Sequence, residues 1–282
     1  MNEIQWFPGH MKKTQELITE NIKLVDLIIE VLDARIPLSS QNPLLQEIIG
    51  DKPKLITLTK SDLAANLDSW LKYFSDKNIS AVATDSIKGA GIKNLIAAAK
   101  NIARPKTHKL EKFGAKPRSA RAMIVGVPNV GKSTLINRLA GVNRAKAENR
   151  PAVTRSKQWI KIDNGLDLLD TPGILYHKFD DEDVALKLAW TYAINDEVYD
   201  IEQTVCKLLE LLAVKVPQNL CERFKLENLP NEGHEILNLI GMKRGCIRKG
   251  GIVDVEKTAR LILAEFRAGK IAKVTLDDLP CN

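Results

Sequence analysis

The sequence predicts an α/β domain, a mostly parallel sheet flanked by helices, followed by a small all-α domain. Two observations predict this class. Over the first two-thirds of the 282 residues, apolar β-branched runs alternate with amphipathic stretches, which is typical of strand–helix–strand units. After about Lys178 the strand signals cease, and only helical periodicity continues.

The predicted strands are short apolar runs. The last two are separated by Asn164-Gly165, a dipeptide that strongly favours a two-residue hairpin turn. We therefore expect one antiparallel edge on an otherwise parallel sheet. The strands are predicted at Leu27–Leu32, Leu55–Leu58, Ser80–Ala83, Met123–Val127, Gln158–Ile162 and Leu166–Leu169.

The expected domain boundaries follow from these patterns. The first domain spans residues 1–177, with halves 1–103 and 122–177 joined by a basic, loop-like linker over 104–121. The helical domain spans residues 178–282. Its clearest helix is Asp254–Ala268, because Asp254 can cap the N-terminus and Gly269 lies just past the end.

Composition excludes several classes. Hydrophobic residues make up 44% and charged residues 27%, which suits a packed core. No apolar run reaches the roughly 20 residues needed to cross a bilayer, and no targeting pattern opens the chain. The four cysteines are widely spaced, unlike a disulfide framework or a zinc site. We expect a cytoplasmic protein without a membrane partner, and the net charge of +7 adds a modest indication of a polyanionic partner.

A phosphate-binding loop is predicted at Gly126–Ser133, which fits G-x-x-x-x-G-K-[S/T] between a strand and a helix (Thr134–Leu139). Lys132 would neutralise phosphate charge, and the Ser133 hydroxyl would bind Mg²⁺. A chance glycine-rich turn is the alternative. The strand and helix on the correct sides argue against it.

Two later segments complete a predicted magnesium site. Asp170, in Asp170-Thr171-Pro172-Gly173, ends an apolar run and would hold Mg²⁺ through a water. Gly173 would let a backbone N–H approach the γ-phosphate. Thr154 lies between the two motifs and is the candidate for a second Mg²⁺ hydroxyl, although a loop threonine is usually just solvated.

Guanine recognition is predicted upstream of the phosphate loop, at Thr59-Lys60-Ser61-Asp62 and around Ser86. A carboxylate at Asp62 can accept from N1–H and N2–H₂ of guanine, whereas adenine offers no such pair of donors, so an ATPase is disfavoured. Lys60 would lie along the purine, and the Ser86 loop would present an N–H to guanine O6. The candidate GTP-binding residues are Thr59, Lys60, Asp62, Asp85, Ser86, Asn129, Val130, Gly131, Lys132, Ser133, Thr134, Thr154 and Gly173.

This motif order resembles the circularly permuted P-loop GTPases, and further segments are similar to the YlqF-like ribosome-biogenesis GTPase A family. The segments are Trp6–Met11, Asp33–Pro37, Lys243–Cys246, Lys249–Gly251 and Phe266–Gly269. The resemblance implies a GTPase that binds the precursor of the large (50S) ribosomal subunit, with its 23S rRNA and ribosomal proteins, and helps its late assembly. A monomer is expected away from the ribosome.

The resemblance also implies a catalytic set. Ile174 stands where Ras-like GTPases place a water-orienting Gln. In its place, Asn129 would help to hold K⁺ and His10 would act on the water, with Lys132 as the third catalytic residue. A histidine in a turn after Pro8-Gly9 is the alternative for His10. Thr59 departs from the usual Asn, so nucleotide affinity is expected to fall.

A basic surface is predicted on the helical domain. Cations near glycines can approach phosphates closely, which favours RNA over the alternative of a solvated helix face. The candidate RNA-binding residues are Lys243, Arg244, Lys249, Arg260 and Arg267. A GTP-dependent signalling or binding module with a non-ribosomal partner remains the alternative function.

Overall fold

The structure, a computed structural model, describes residues 16, 18–112, 118–141, 159–163, 165–169 and 181–280. The strands are β1 (Leu27–Asp33), β2 (Lys54–Thr59), β3 (Ser80–Ala83), β4 (Ala120–Val125), β5 (Trp159–Asp163) and β6 (Leu166–Leu169). The helices are α1 (Pro43–Ile49), α2 (Leu67–Asp76), α3 (Ile92–Lys112), α4 (Lys132–Ala140), α5 (Glu182–Trp190), α6 (Ile201–Lys215), α7 (Pro217–Phe224), α8 (Gly233–Lys243) and α9 (Val255–Arg267).

The six strands form one sheet in the order β3-β2-β1-β4-β6-β5. Neighbouring strands are parallel, except that β5 pairs antiparallel with β6. The predicted antiparallel edge is therefore confirmed. Asp33 at the end of β1 is in register with Thr59 at the end of β2, so the loops after these strands emerge at one edge of the sheet.

The centre of the sheet is closed to solvent. All seven residues of β1 are buried, and Ile28 packs in a core cluster with Leu45, Met123 and Val125. A buried parallel strand reads as a continuous apolar run, which is why β1 was visible in the sequence. The two acidic residues of β1, Glu30 and Asp33, are also buried and therefore require partners.

The predicted linker over 104–121 is wrong in most of its length. Helix α3 continues from Ile92 through Pro105 to Lys112, and residues 120–121 already belong to β4. A proline inside a helix removes one hydrogen bond, but the following Lys, Leu and Glu residues favour the helix. The helix therefore occupies residues 104–112 of the segment that was predicted to be loop-like.

The helical unit is organised around α6, whose Leu208, Leu209 and Leu212 are buried. Helix α9 matches its prediction. The Asp254 carboxylate accepts from Lys257 N–H at 3.2 Å, and Gly269 takes φ +67° just past the end of the helix. Among the helices that the structure describes, none is both long and apolar enough to cross a membrane.

The chain divides into two compact units that are interleaved in sequence. The sheet unit comprises residues 6–62, 66–177 and 277–282, and the helical unit comprises 1–5, 63–65 and 178–276. Within the helical unit, the Thr275 hydroxyl donates to Ala65 C=O at 2.7 Å. Within the sheet unit, the Asp277 carboxylate accepts from the backbone N–H of Leu38 and Ser39 at 2.7 and 2.9 Å. The boundary expected at 177/178 lies outside the described residues.

Candidate nucleotide-binding site

The candidate site lies at the edge of the sheet where the parallel strands end. The loops after β1, β2, β3 and β4 start at this edge, where open α/β sheets bind their ligands. Direct hydrogen bonds connect the end of β2 and the loop after it with the loop after β4. They link the predicted residues Thr59, Lys60, Asn129 and Val130.

The phosphate loop has the backbone that its glycines predict. Gly126 takes φ +152°, and a Cβ built there would lie 2.4 Å from Val31 C=O, so any side chain would collide with backbone. Gly131 takes φ +102° and immediately precedes α4. Ser133 and Thr134 are exposed in the first turn of α4, where free N–H groups and the helix dipole favour an anion.

Lys132 is held beneath the loop. Its side chain is only 8% exposed, and its ammonium donates to Val127 C=O at 2.5 Å. Burial, together with the positive charge of Lys60, lowers the pKa of Lys132 to about 8. The Lys132 ammonium is therefore poised to gain stabilisation from phosphate charge.

Thr59 connects the loop predicted to read guanine with the phosphate loop. Its buried hydroxyl donates either to Val130 C=O, in the phosphate loop, or to Leu32 C=O at 2.9 Å. Because a hydroxyl has one proton, it can make only one of these bonds at a time. Thr59 therefore connects the two loops directly through its hydroxyl, and a Cβ on Gly131 would lie 3.5 Å from that hydroxyl oxygen.

Lys60 is held by two loops at once. Its ammonium donates to the Asp33 carboxylate and to Asn129 C=O, both at 2.8 Å. Arg35 donates to the same carboxylate through Nε and Nη2, at 2.9 and 2.7 Å. Burial alone would raise the pKa of Asp33, but the charges of Arg35 and Lys60 outweigh burial and hold it far below its usual range.

The loops that would read the base are ordered by backbone bonds. Ser61 N–H donates to Thr84 C=O at 3.3 Å, which links the β2 loop with the β3 loop. The Asp85 carboxylate accepts from the N–H groups of Ile87 and Lys88, both at 2.9 Å. Asp85 therefore shapes the loop that carries Ser86, which gives it a structural role besides the predicted binding role.

Four predicted site residues lie outside the described part of the chain: His10, Thr154, Asp170 and Gly173. The sequence predicted no role for Asp33 and Arg35, although both lie in the family-like segment Asp33–Pro37. The available signal was a carboxylate that ends an apolar run, which is the same signal that singled out Asp170.

The predicted RNA-binding residues differ in their surroundings. Lys243, Lys249 and Arg260 are exposed, and Arg260 pairs with Glu256 on its own helix at 2.8 Å. Arg244 contacts Glu265 at 3.2 Å. Arg267, in contrast, is held inside the helical unit by Asp196 at 2.7 Å and by Ala189 C=O at 2.8 Å. Its guanidinium is therefore committed to internal contacts.

Comparison with known proteins agrees with this geometry. A family model described as "50S ribosome-binding GTPase" matches residues 121–223. Ribosome biogenesis GTPase A of Bacillus cereus is 45% identical over 97% of this chain and 93% of its own length. The Priestia megaterium protein of the same name is 46% identical over 98% of this chain and 96% of its own.

Solved structures agree as well. A GDP-bound structure of T. maritima YlqF has 28% identity and a TM-score of 0.65, covering 93% of this chain and 98% of that one. A GNP-bound structure of the same protein has a TM-score of 0.64. Given these similarities and a phosphate loop placed downstream of the loop predicted to read guanine, the chain belongs to the ribosome biogenesis GTPase A family and is a GTPase with a role in ribosome assembly.

Proposed function

We propose that this GTPase acts in late assembly of the large ribosomal subunit, and that its nucleotide state controls binding to and release from the precursor particle. The observation that carries this proposal is the candidate nucleotide site, in which the loops after β2 and β4 are hydrogen-bonded to each other at the edge of the sheet. It lies in a chain whose residues 121–223 match a family model described as "50S ribosome-binding GTPase". We place the protein in the cytoplasm, as a monomer away from the particle.

The site residues divide the work of holding GTP. Asp62 accepts from the guanine edge, Lys60 lies along the purine, and the loop from Asp85 to Ser86 supplies an N–H to guanine O6. The N–H groups from Asn129 to Thr134 surround the phosphates. The ammonium of Lys132, already desolvated, gains a counter-charge from the β- and γ-phosphates and stabilises the charge that develops on them during hydrolysis.

Metal ions complete the proposed chemistry. Ser133 would bind Mg²⁺ with Thr154 and Asp170, and Mg²⁺ would neutralise charge on the β- and γ-phosphates. Ser133 is exposed in the first turn of α4, which fits a hydroxyl that must reach a metal. Asn129, exposed with φ +57°, would hold K⁺, and His10 would orient the water. Equal hydrolysis rates in KCl and NaCl would remove the K⁺ role.

The proposed ribosome-contacting surface lies on the helical unit. Lys243, Arg244, Lys249 and Arg260 can offer charge to rRNA phosphates, since their side chains are exposed or partly exposed. We omit Arg267 because its guanidinium is engaged by Asp196. Such contacts release counterions, so binding to the particle should weaken steeply with salt.

Sedimentation with large-subunit precursors tests the proposal. We expect the protein to pellet with the particle in a non-hydrolysable GTP analogue and to remain in the supernatant in GDP. Binding that ignores the nucleotide, or no binding at all, would favour the alternative of a GTP-dependent module with a non-ribosomal partner.

A base-specificity switch supplies the matched control. Asp62→Asn exchanges an acceptor for a donor, so it should reject guanine nucleotides and accept xanthine nucleotides, which carry a carbonyl in place of N2–H₂. Pelleting of this variant should then respond to a xanthosine triphosphate analogue and not to the GTP analogue. We also propose that the particle and K⁺ stimulate GTP hydrolysis. His10→Ala should then retain nucleotide binding and lose most of the particle-stimulated turnover, and unchanged stimulated turnover would remove His10 from the mechanism.

A further inference from the structure

We propose that Asp33 is a positioning residue for guanine-nucleotide binding, which fixes the Lys60 ammonium between the base-reading loop and the phosphate loop. Arg35 is its support, because it fixes the carboxylate from the other side. The inference rests on the proposed roles of Lys60 and Asp62 at the guanine base.

The geometry places Asp33 between two cations. Asp33 is 1% exposed, and its Oδ1 accepts from Arg35 Nε at 2.9 Å and from Arg35 N–H at 3.0 Å. Its Oδ2 accepts from Arg35 Nη2 at 2.7 Å and from Lys60 Nζ at 2.8 Å. The fork of Arg35 thus fixes the plane of the carboxylate, and the remaining position on Oδ2 determines where Lys60 lies.

Lys60 carries this position to the phosphate loop. Its ammonium also donates to Asn129 C=O at 2.8 Å, and its own backbone takes φ +54° in the loop that leads to Asp62. Asp33 is the last residue of β1, and Lys60 and Asn129 lie in the loops after β2 and β4. One carboxylate therefore sets the spacing of the segments that would hold the base and the phosphates.

Charge explains why a carboxylate is needed here. Arg35 is 2% exposed, and Lys132 is close enough to Lys60 for the Lys60 charge to lower the Lys132 pKa. Without Asp33, Lys60 would face these like charges without the carboxylate that neutralises them. We then expect its ammonium to move into solvent, since Lys60 is 26% exposed, leaving the place beside the purine.

The test is a double-mutant cycle on GDP affinity. Asp33→Asn turns one acceptor into a donor that faces the cations, and we expect the Kd for GDP to rise about tenfold, as for loss of a charge-assisted hydrogen bond. In a Lys60→Ala background the same substitution should change the Kd by less than about twofold, because the residue being positioned is gone. An unchanged Kd for Asp33→Asn, or an equal loss in both backgrounds, would overturn the inference.

Asp26 provides a matched structural control. It is 1% exposed, lies at the opposite end of β1, and binds Arg118 through both carboxylate oxygens at 2.7 and 2.9 Å. Asp26→Asn should lower the melting temperature as Asp33→Asn does, but leave the Kd for GDP unchanged. If both variants weaken GDP binding equally, Asp33 acts only through stability and the inference is wrong.

Two further variants keep the outcomes distinct. Asp33→Asn/Arg35→Gln leaves no uncompensated guanidinium buried, so it should fold if the single variant does not, and it should show the same weakened binding. Asp62→Ala and Lys60→Ala test the base site itself. If neither weakens GDP binding, the proposed base site is wrong and the inference falls with it; if both do and Asp33→Asn does not, only the inference is wrong.

Discussion

The depressed pKa of Lys132 predicts that GDP binding takes up a proton at alkaline pH. In the nucleotide-free site, burial and the Lys60 charge lower this pKa to about 8. Phosphate oxygens next to the ammonium favour its charged form and should return the pKa to its ordinary range or above. Between these two pKa values, the free protein lacks a proton that the complex carries.

The expected uptake follows from the free-state value. With a pKa of about 8, about three-quarters of Lys132 side chains are neutral at pH 8.5 and about a tenth at pH 7. Binding should therefore take up about 0.75 proton per GDP at pH 8.5 and about 0.1 at pH 7 through this group.

The same pKa shift also makes the folding stability of the nucleotide-free protein depend on pH. Between about pH 8 and about pH 10.5, Lys132 keeps its proton in the unfolded chain but has lost it in the folded, nucleotide-free chain. The contribution of Lys132 to the free energy of unfolding should therefore increase as the pH rises through this range.

Calorimetry can measure the uptake directly. At each pH, the binding enthalpy is measured in several buffers that differ in ionisation enthalpy. The slope of the binding enthalpy against the buffer ionisation enthalpy gives the number of protons taken up per GDP bound. Lys132→Arg is the control, since guanidinium stays charged at these pH values and reports uptake by the guanine base and other groups. A slope at pH 8.5 that does not differ between wild type and Lys132→Arg would refute the reasoning.

Three further predictions concern contacts described above. Thr59→Val removes the hydroxyl that bonds to the phosphate loop, so it should lower the free energy of unfolding in urea by about 1–2 kcal/mol and weaken GDP binding. Thr59→Ser keeps the hydroxyl, so it should retain both the stability and the GDP affinity. Arg267→Ala removes the guanidinium that donates to Asp196 and to the backbone carbonyls of Ala189 and Trp190, so it should destabilise the protein by about 2 kcal/mol. Arg260→Ala, which removes an exposed same-helix pair with Glu256, should cost much less, and equal losses would contradict the internal role of Arg267. Gly126→Ala drives a Cβ to within 2.4 Å of Val31 C=O, so GDP affinity should fall at least about tenfold as the loop shifts; a normal Kd would show that the loop can absorb the side chain.

The sequence predicted the parts of the molecule where one residue type has one structural consequence. Buried parallel strands such as β1 require continuous apolar runs, and the phosphate loop requires glycine where φ is positive. Helix α9 was predicted from its Asp254 cap and Gly269, for the same kind of reason. These signals are local, and the structure agrees with them.

Prediction failed where the outcome depends on distant partners. Residues 104–121 were predicted to be a loop-like linker, but α3 continues through Pro105 to Lys112. Arg267 was predicted to belong to the RNA-binding surface, because no local sequence signal indicates that its guanidinium pairs with Asp196, 71 residues away in the chain. Asp33 received no role for a related reason: its importance comes from Lys60, 27 residues later, and from the fold that brings β1 and β2 into register.

The interleaved units have a consequence for the order in which this protein can fold during its own synthesis. The amides of Leu38 and Ser39 find their acceptor in Asp277, about 240 residues later in the chain. Ala65, which is translated soon after residues 59–62, likewise forms its hydrogen bonds to the Thr275 hydroxyl only after Thr275 has been translated. Neither unit can therefore acquire its full set of contacts while the ribosome is still translating the middle of the message. A protein that helps to assemble ribosomes completes its own nucleotide-binding half only after nearly all of its sequence has been made by one.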